Sequence, residues 1–233
     1  MSVDGLEEAP RGILSAAMLN LAFPGSPRKP IEVLCIGAHC DDIEIGCGAT
    51  LMRLADERPI SATWVVLTAT PQRAAEAERS AALVLRSARR RHLQIAPFDD
   101  GFLPAQRREV KDYFETLKGL PRPDVIFTHE REDLHQDHRL ANELTWNTFR
   151  DHLILEFEIP KFDGGVTQPN LYFPAGRALV ARKCRQLHSA YKSQRGKSWF
   201  DDETFRGLMR LRGLECNAPE GYAEAFHARK VRL

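Results

Sequence analysis

The chain has 233 residues, of which 43% are apolar and 28% are charged. This composition is ordinary for a soluble globular protein and excludes extended disorder as the main state. Lysine and arginine total 33 against 32 for aspartate and glutamate, so the net charge gives no general attraction for nucleic acid or an anionic membrane. We therefore expect neither as a partner.

The N-terminal residues differ in pattern from the rest of the chain. An apolar patch, GILSAAMLNLAF, precedes PGSPRKP, whose prolines and glycine are typical of a linker. We predict an N-terminal arm with a docking helix over residues 1–30 and a single domain over residues 31–233. The arm lacks the features of a secretory signal, and no apolar stretch is long enough to span a membrane. The five cysteines are unevenly spread and odd in number, which favours a reducing, cytoplasmic location.

From residue 31 onward, predicted strands alternate with predicted helices. The strand-like stretches are IEVLCIGAH, ISATWVVLTAT, LQIAPF and PDVIFTH. The helical stretches that follow them in turn are CGATLMRLADE, QRAAEAERSAALVLRSARRR, AQRREVKDYFETLKGL and DHRLANELTWNTFRDHL. This alternation is typical of βαβ units whose sheet is covered on both faces. The predicted fold class is therefore α/β, a three-layer Rossmann-like sandwich with a mostly parallel sheet.

The alternation changes after about residue 153. The stretches ILEFEIPKFDGG and NLYFPA are followed by helical patterns near ALVARKCRQLHSAYKS and ETFRGLMRLRG, and then by YAEAFHARKVRL. No long flexible linker precedes this part of the chain. We therefore predict a C-terminal cap or extension of the sheet rather than a second domain.

Two loops rich in histidine and aspartate follow predicted strands. Ligands of parallel α/β sheets bind beyond the carboxyl ends of the strands, so these loops are expected to meet at one edge. Burying unpaired carboxylates is costly, so such a cluster usually binds a cation, pairs with other charges or faces solvent. The first loop contains His39, Asp41 and Asp42, and the second contains Glu130, Asp133, His135, Asp137 and His138.

Three of these residues suit a catalytic metal site. His39, Asp42 and His138 supply nitrogen and oxygen donors, and a catalytic zinc uses three protein ligands while leaving a position for water. Fe²⁺ or another divalent ion suits the same donors. A helix N-cap cluster is the structural alternative for His39 and its two aspartates, but the second loop favours metal binding.

The remaining residues of the two loops suit acid–base chemistry. Asp41 lies beside a ligand and is expected to act as the general base. His135 is expected to polarise a carbonyl and to protonate the leaving group. Asp137 is expected to hold the His135 ring by a hydrogen bond.

The two loops also resemble those of a known family. AHCDDIE resembles the AHPDDE signature, and HQDH the HxDH signature, of the PIG-L (LmbE-like) zinc-dependent de-N-acetylases, which remove acetyl groups from N-acetylglucosamine conjugates. The resemblance continues more weakly over most of residues 31–228. It implies the same zinc ligands, base and acid as the residues themselves suggest. Arg73, in an R-x-x-E stretch that ends at Glu76, resembles the substrate-binding arginine of the family.

Two departures from the family pattern concern the substrate side. Cys40 stands in place of the usual proline of the first motif, and Tyr191 stands where the family often has histidine. These changes leave the acceptor sugar open.

Three functions follow from the sequence. The first is a zinc-dependent deacetylase acting on a small-molecule N-acetylamino sugar conjugate of the N-acetylglucosamine type. The second is an amide hydrolase acting on a non-sugar metabolite, and the third is a noncatalytic sugar- or nucleotide-binding module on the same fold. The complete set of ligand, base and acid candidates favours a hydrolase. The oligomeric state, including a homo-oligomer, stays open.

Overall fold

The computed structural model describes Met18 and residues 29–232. The arm and docking helix predicted over residues 1–30 therefore lie largely outside the described residues. The described strands are β1 (Ile31–Gly37), β2 (Ile60–Thr68), β3 (Arg90–Phe98), β4 (Val125–His129), β5 (Ile154–Phe157), β6 (Leu171–Ala175) and β7 (Tyr222–Ala228). The described α-helices are α1 (Asp42–Glu57), α2 (Pro71–Val84), α3 (Arg107–Thr116), α4 (Gln136–Thr148), α5 (Arg177–Ala190) and α6 (Asp202–Glu215).

The strands form one sheet in the order β3-β2-β1-β4-β5-β7-β6. The first five strands in that order are parallel to one another, and their registers pair Ile31 with Ile60 and Val33 with Val125. β7 pairs antiparallel with both β5 and β6. The mostly parallel α/β sheet predicted from the alternating elements is thus confirmed.

Two separate apolar cores cover the two faces of the sheet. Successive residues of β1 alternate between them, because side chains of a strand point to opposite faces. Cys35 packs into the core formed with α1, α2, α5 and α6, whereas Ile36 packs into the core formed with α3 and α4. This arrangement is the predicted three-layer sandwich.

Helix α1 starts earlier than the sequence pattern predicts. It begins at Asp42 rather than at Cys47, and the backbone is non-helical at Cys47, with φ −141° and ψ 19°. Glu224 of β7 accepts hydrogen bonds from the backbone N–H groups of Ala49 and Thr50 at 2.8 and 2.7 Å. A carboxylate from a distant strand therefore satisfies the amides that the kink frees, which local periodicity cannot reveal.

The basic run that was predicted to end the second helix belongs to an edge strand instead. α2 ends at Val84, and Arg90 already pairs with Ser61 of β2. Among the described residues, β3 has a neighbouring strand on one side only, so its polar side chains stay exposed and Pro97 is tolerated within it. The apolar–polar pattern of an edge strand is weak, which explains the misplaced boundary.

Candidate active site at the carboxyl edge of the sheet

The loops after β1 and β4 meet because these strands are neighbours, with Cys35 opposite Phe127. The first loop leads into α1, whose N-cap is Asp41, and the second leads into α4, whose N-cap is His135. The backbone N–H of His39 donates to Oδ2 of Asp42 at 2.6 Å and so closes the first turn. The predicted convergence of the two loops is confirmed.

Donor atoms of the three predicted ligands lie within a few ångströms of one another. Nδ1 of His39 is 3.0 Å from Nε2 of His138 and 3.3 Å from Oδ2 of Asp42. Nε2 of His138 is 3.6 Å from Oδ1 of Asp42. Bond lengths of 2.0–2.1 Å in a tetrahedral zinc site separate the donor atoms by roughly 3.3 Å. Two imidazoles and a carboxylate suit a divalent cation in chemistry, and the distance between the two histidine nitrogens fits the spacing, whereas each histidine lies nearest a different oxygen of Asp42.

The donor cluster is larger than three residues. Three groups of residues have donor atoms close enough to share a cation. They are His39 with His135 and His138; Asp42 with His129 and His138; and His39 with Asp100 and Asp137. Nε2 of His129 lies 3.1 Å from Oδ2 of Asp42 and accepts the backbone N–H of Ala38 at 2.9 Å. His129 thereby fixes the turn after β1 from the neighbouring strand.

The protonation states of the predicted ligands differ. Burial lowers the pKa of His138 to about 3, and His129 adds to this effect. Burial alone would raise the pKa of Asp42, but the histidines around it hold that pKa well below its ordinary value. Burial also disfavours protonation of His39, but Asp42 and other carboxylates outweigh it and raise the pKa. The lowered pKa values of His138 and Asp42 favour the neutral imidazole and the ionised carboxylate that bind metals, whereas the raised pKa of His39 opposes metal binding.

Asp41 is buried beside the donor cluster. Its Oδ1 lies 2.9 Å from a guanidinium nitrogen of Arg73. Its Oδ2 is buried and has no hydrogen-bond partner within the described part of the chain. Burial raises the pKa of Asp41, and Arg73 opposes that rise. A buried carboxylate oxygen without a partner is costly and calls for a functional explanation, which a general base provides.

His135 lies next to both predicted histidine ligands. Its ring centroid is 4.8 Å from that of His39 and 4.6 Å from that of His138. Burial lowers the pKa of His135, and the neighbouring His39 lowers it further. Its Nδ1 accepts the backbone N–H of Asp137 at 3.3 Å. A neutral ring with this contact carries its proton on Nε2, where it acts as a donor.

The predicted contact between the Asp137 carboxylate and the His135 ring is wrong. Oδ1 of Asp137 accepts the N–H of Leu103 at 3.1 Å, and Oδ2 accepts that of Gly101 at 2.7 Å. Oδ2 also lies 3.3 Å from Nε2 of His39. Residues two apart at a helix start face different directions, so Asp137 reaches the loop after β3 instead. It orients His39 and ties this loop to the site.

Arg73 extends into the site from the first turn of α2. Its guanidinium contacts other side chains of the chain there. Besides Asp41, it contacts Oε2 of Glu76 at 3.2 Å. Its guanidinium carbon lies 4.9 Å from the ring centroid of Tyr191. The structure thus assigns Arg73 the task of holding Asp41, and substrate binding by its guanidinium stays a prediction.

Asp133 belongs to the second histidine- and aspartate-rich loop, but the sequence pattern predicts no role for it. Its Oδ2 lies 2.9 Å from Nδ1 of His138, and Nζ of Lys161 contacts the same oxygen. Its Oδ1 accepts the backbone N–H of His135 at 2.8 Å. Metal-ligating histidines usually donate their second ring N–H to a carboxylate. This preference, together with the position of Asp133 five residues before the predicted ligand His138, would have been enough to predict its contact with the His138 ring.

The two departures from the family pattern contact each other. The Tyr191 hydroxyl contacts the backbone carbonyl of Cys40 and lies 2.6 Å from Oε1 of Glu44. Burial raises the pKa of Glu44 to about 8. The tyrosine hydroxyl therefore faces two buried acceptors, the Cys40 carbonyl and Oε1 of Glu44. No sequence signal links Tyr191 to a turn so far away in the chain.

This α/β fold and its cluster of histidines and aspartates have known counterparts. Residues 34–149 match the family model of the GlcNAc-PI de-N-acetylases, PIG-L. An uncharacterized deacetylase of Escherichia coli K12, YaiS, is 29% identical over an alignment of 134 residues that covers 52% of this chain and 69% of the relative. The chain belongs to the PIG-L family, a family of deacetylases.

Solved structures share the fold at low sequence identity. The N,N'-diacetylchitobiose deacetylase of Pyrococcus horikoshii has a TM-score of 0.67 and 21% identity, over 84% of this chain and 82% of the other. GalB of Pseudomonas putida KT2440, a 4-carboxy-2-hydroxymuconate hydratase, has a TM-score of 0.65 and 15% identity, over 87% of this chain and 98% of the other. Because a deacetylase and a hydratase both match, the fold alone does not define the reaction.

A helix that crosses a membrane must be long and predominantly apolar. Among the described residues, no helix is both long and apolar enough to cross a bilayer.

Proposed function

We propose that the chain is a divalent-metal-dependent deacetylase that hydrolyses the acetamide of an N-acetylamino sugar conjugate. The observation that carries this proposal is the buried, unpartnered Oδ2 of Asp41 beside the donor atoms of His39, Asp42 and His138. Membership of a deacetylase family supports the reaction. The likeness to a diacetylchitobiose deacetylase supports the choice of a sugar.

His39, Asp42 and His138 would hold the cation, with zinc as the first candidate and Fe²⁺ as the second. A bound divalent ion supplies a Lewis acid that polarises the amide carbonyl and activates water. Asp133 and Asp137 orient the histidine ligands through their second ring nitrogens.

Asp41 provides the proton transfer, and His135 stabilises the charge that develops on the carbonyl oxygen. Arg73 holds Oδ1 of Asp41, so Oδ2 is the oxygen that accepts a proton from water as the water adds to the amide carbon. The Nε2–H of neutral His135 donates a hydrogen bond to the carbonyl oxygen, which gains negative charge in this step. The proton taken by Asp41 then passes to the departing nitrogen, and acetate and the free amine result.

Acetate release from a panel of N-acetylated amino sugars and their conjugates tests this proposal. The wild type is compared with Asp41→Asn at equal, measured zinc content, and Asp112→Asn on the exposed side of α3 is the matched control. Loss of a general base lowers kcat by about 10²–10⁴-fold, and we expect a loss in this range for Asp41→Asn with zinc binding retained.

Two results would contradict the proposal. Equal turnover by wild type and Asp41→Asn would remove Asp41 as the base. Failure of the wild type to bind zinc or Fe²⁺, together with no acetate release, would favour a noncatalytic sugar- or nucleotide-binding module.

A further inference from the structure

Large apolar side chains are exposed on three loops at the carboxyl edge of the sheet. Phe102, in the loop after β3, is 63% exposed, and Leu134, in the loop after β4, is 50% exposed. Phe162 and Val166, in the loop after β5, are 83% and 49% exposed. Exposed apolar residues on several loops at the ligand-binding edge of a parallel sheet are candidates for a binding surface.

The first two side chains flank the candidate active site. Gly101, which precedes Phe102, donates its N–H to Asp137 and accepts a hydrogen bond from the Gln136 side chain at 3.1 Å. Leu134 directly precedes His135. The backbone contacts that hold the site together therefore also fix the positions of Phe102 and Leu134.

The loop after β5 is fixed to the same place. Nζ of Lys161, the residue before Phe162, contacts the Asp133 oxygen that also binds His138. A methyl group added at Gly165 would lie 3.4 Å from Cγ of Leu134, so this loop runs alongside the loop after β4. Phe162 and Val166 thus belong to the surroundings of the active site.

We propose that Phe102, Leu134, Phe162 and Val166 form an apolar rim that binds an aliphatic or aromatic substituent of the substrate. The inference rests on the proposed function and narrows its substrate class to N-acetylamino sugars that carry an apolar aglycone. The histidines and aspartates of the site bind the acetamide and the sugar hydroxyls, while the apolar rim shields the aglycone from water. Burial of apolar surface on binding supplies the affinity.

Binding can be measured without turnover. Zinc-loaded Asp41→Asn is titrated calorimetrically with the methyl, hexyl and phenyl β-glycosides of N-acetylglucosamine. Because a single methylene in a hydrophobic pocket is worth about 10–200-fold, we expect the hexyl and phenyl glycosides to bind at least tenfold more tightly than the methyl glycoside. Equal affinity for all three glycosides would refute the proposal that these residues bind an apolar aglycone.

Substitutions then locate the contact. Phe162→Ser or Val166→Ser, each combined with Asp41→Asn, is expected to remove most of the preference for the hexyl over the methyl glycoside. Val231→Ser is the matched control, because Val231 is also exposed, at 51%. It follows β7, whose last residue, Ala228, pairs with Leu155 near the start of β5, so it lies towards the opposite edge of the sheet. A preference that survives Phe162→Ser, or that Val231→Ser removes as effectively, would overturn the assignment.

Hydrolysis by the wild type separates the two proposals. Acetate release that is equally efficient from methyl and hexyl glycosides would support the deacetylase and refute the rim. No acetate release from any glycoside, with the binding preference intact, would support the rim and refute the deacetylase. If Phe162→Ser instead converted a dimer to a monomer in sedimentation without changing glycoside affinity, the rim would be a contact between two copies and the proposal would fail.

Discussion

The turn after β1 and the loop after β5 lie at the same edge of the sheet but are held very differently. Residues 40–44 in the turn and the start of α1 are all buried, and residues 162–166 in the loop are all exposed. Side chains from several other parts of the chain contact the turn, among them Arg73 of α2, His129 of β4, His138 of α4 and Tyr191 just after α5. The loop after β5 is anchored mainly by Lys161 and Arg212.

This difference separates chemistry from substrate choice. Donor atoms and a general base work only if their positions are fixed, and buried contacts from several elements provide that constraint. An exposed loop on a rigid framework tolerates changes in its side chains without loss of the fold. The following four changes test whether the buried turn and the exposed loop divide these tasks.

The largest effect is expected from Glu224→Ala, which removes the support of the kinked α1. Glu224 pairs with buried Lys183 at 2.7 Å and bonds the freed amides of the helix. Breaking a buried ion pair leaves an uncompensated charge, so the free energy of unfolding should fall by about 3–5 kcal/mol. Urea denaturation measures this loss. Asp56→Ala, which breaks an exposed pair with Arg182, should cost no more than about 1 kcal/mol.

Asp133→Asn should weaken metal binding without removing a ligand. The Asp133 carboxylate orients His138, and loss of such a partner typically lowers metal affinity about 10–100-fold. Competition with a chelator measures the zinc affinity. Asp163→Asn, a matched change in the exposed loop after β5, should leave that affinity unchanged. Equal affinities for both variants would show that His138 needs no carboxylate partner.

Tyr191→Phe should affect catalysis more than substrate binding. Without the hydroxyl, the Cys40 carbonyl and Glu44 lose their common partner, and the turn that carries Asp41 is less well fixed. We expect kcat to fall roughly tenfold with little change in KM, because loosely held catalytic groups lose efficiency. Tyr113→Phe, which removes a hydroxyl bonded to Gln94 near the edge strand, should leave kcat unchanged. An unchanged kcat for Tyr191→Phe would remove its positioning role.

The smallest effect on stability is expected from Phe162→Ala. Phe162 is exposed, so its loss should change the free energy of unfolding by less than about 0.5 kcal/mol. Phe157, five residues earlier on β5, is fully buried, and Phe157→Ala should cost about 3–5 kcal/mol. Denaturation of both variants compares the two positions directly. A large loss for Phe162→Ala would show that the loop is part of the packed structure.

The α/β class, the order of most elements and the two loops that carry the donor residues could be predicted from the amino-acid pattern alone. Strands buried on both faces give continuous apolar runs, and helices give a period of 3.6 residues, so these elements are encoded locally. The motif residues His39, Asp42 and His138 could be named because each follows a recognisable strand. The edge strand β3 was missed in part, since Arg90 and Arg91 need no burial there.

The side chains that hold the site in place could not be predicted in this way, because their contacts depend on tertiary packing. Asp137 turns to Gly101 and Leu103 rather than to His135, because the helix start sets its direction. Glu224 supports α1, and Tyr191 the Cys40 carbonyl, from distant parts of the chain. Hydrogen bonds between residues more than a hundred positions apart leave no periodic trace in a single sequence. They arise when packing brings buried polar groups together and each must find a partner.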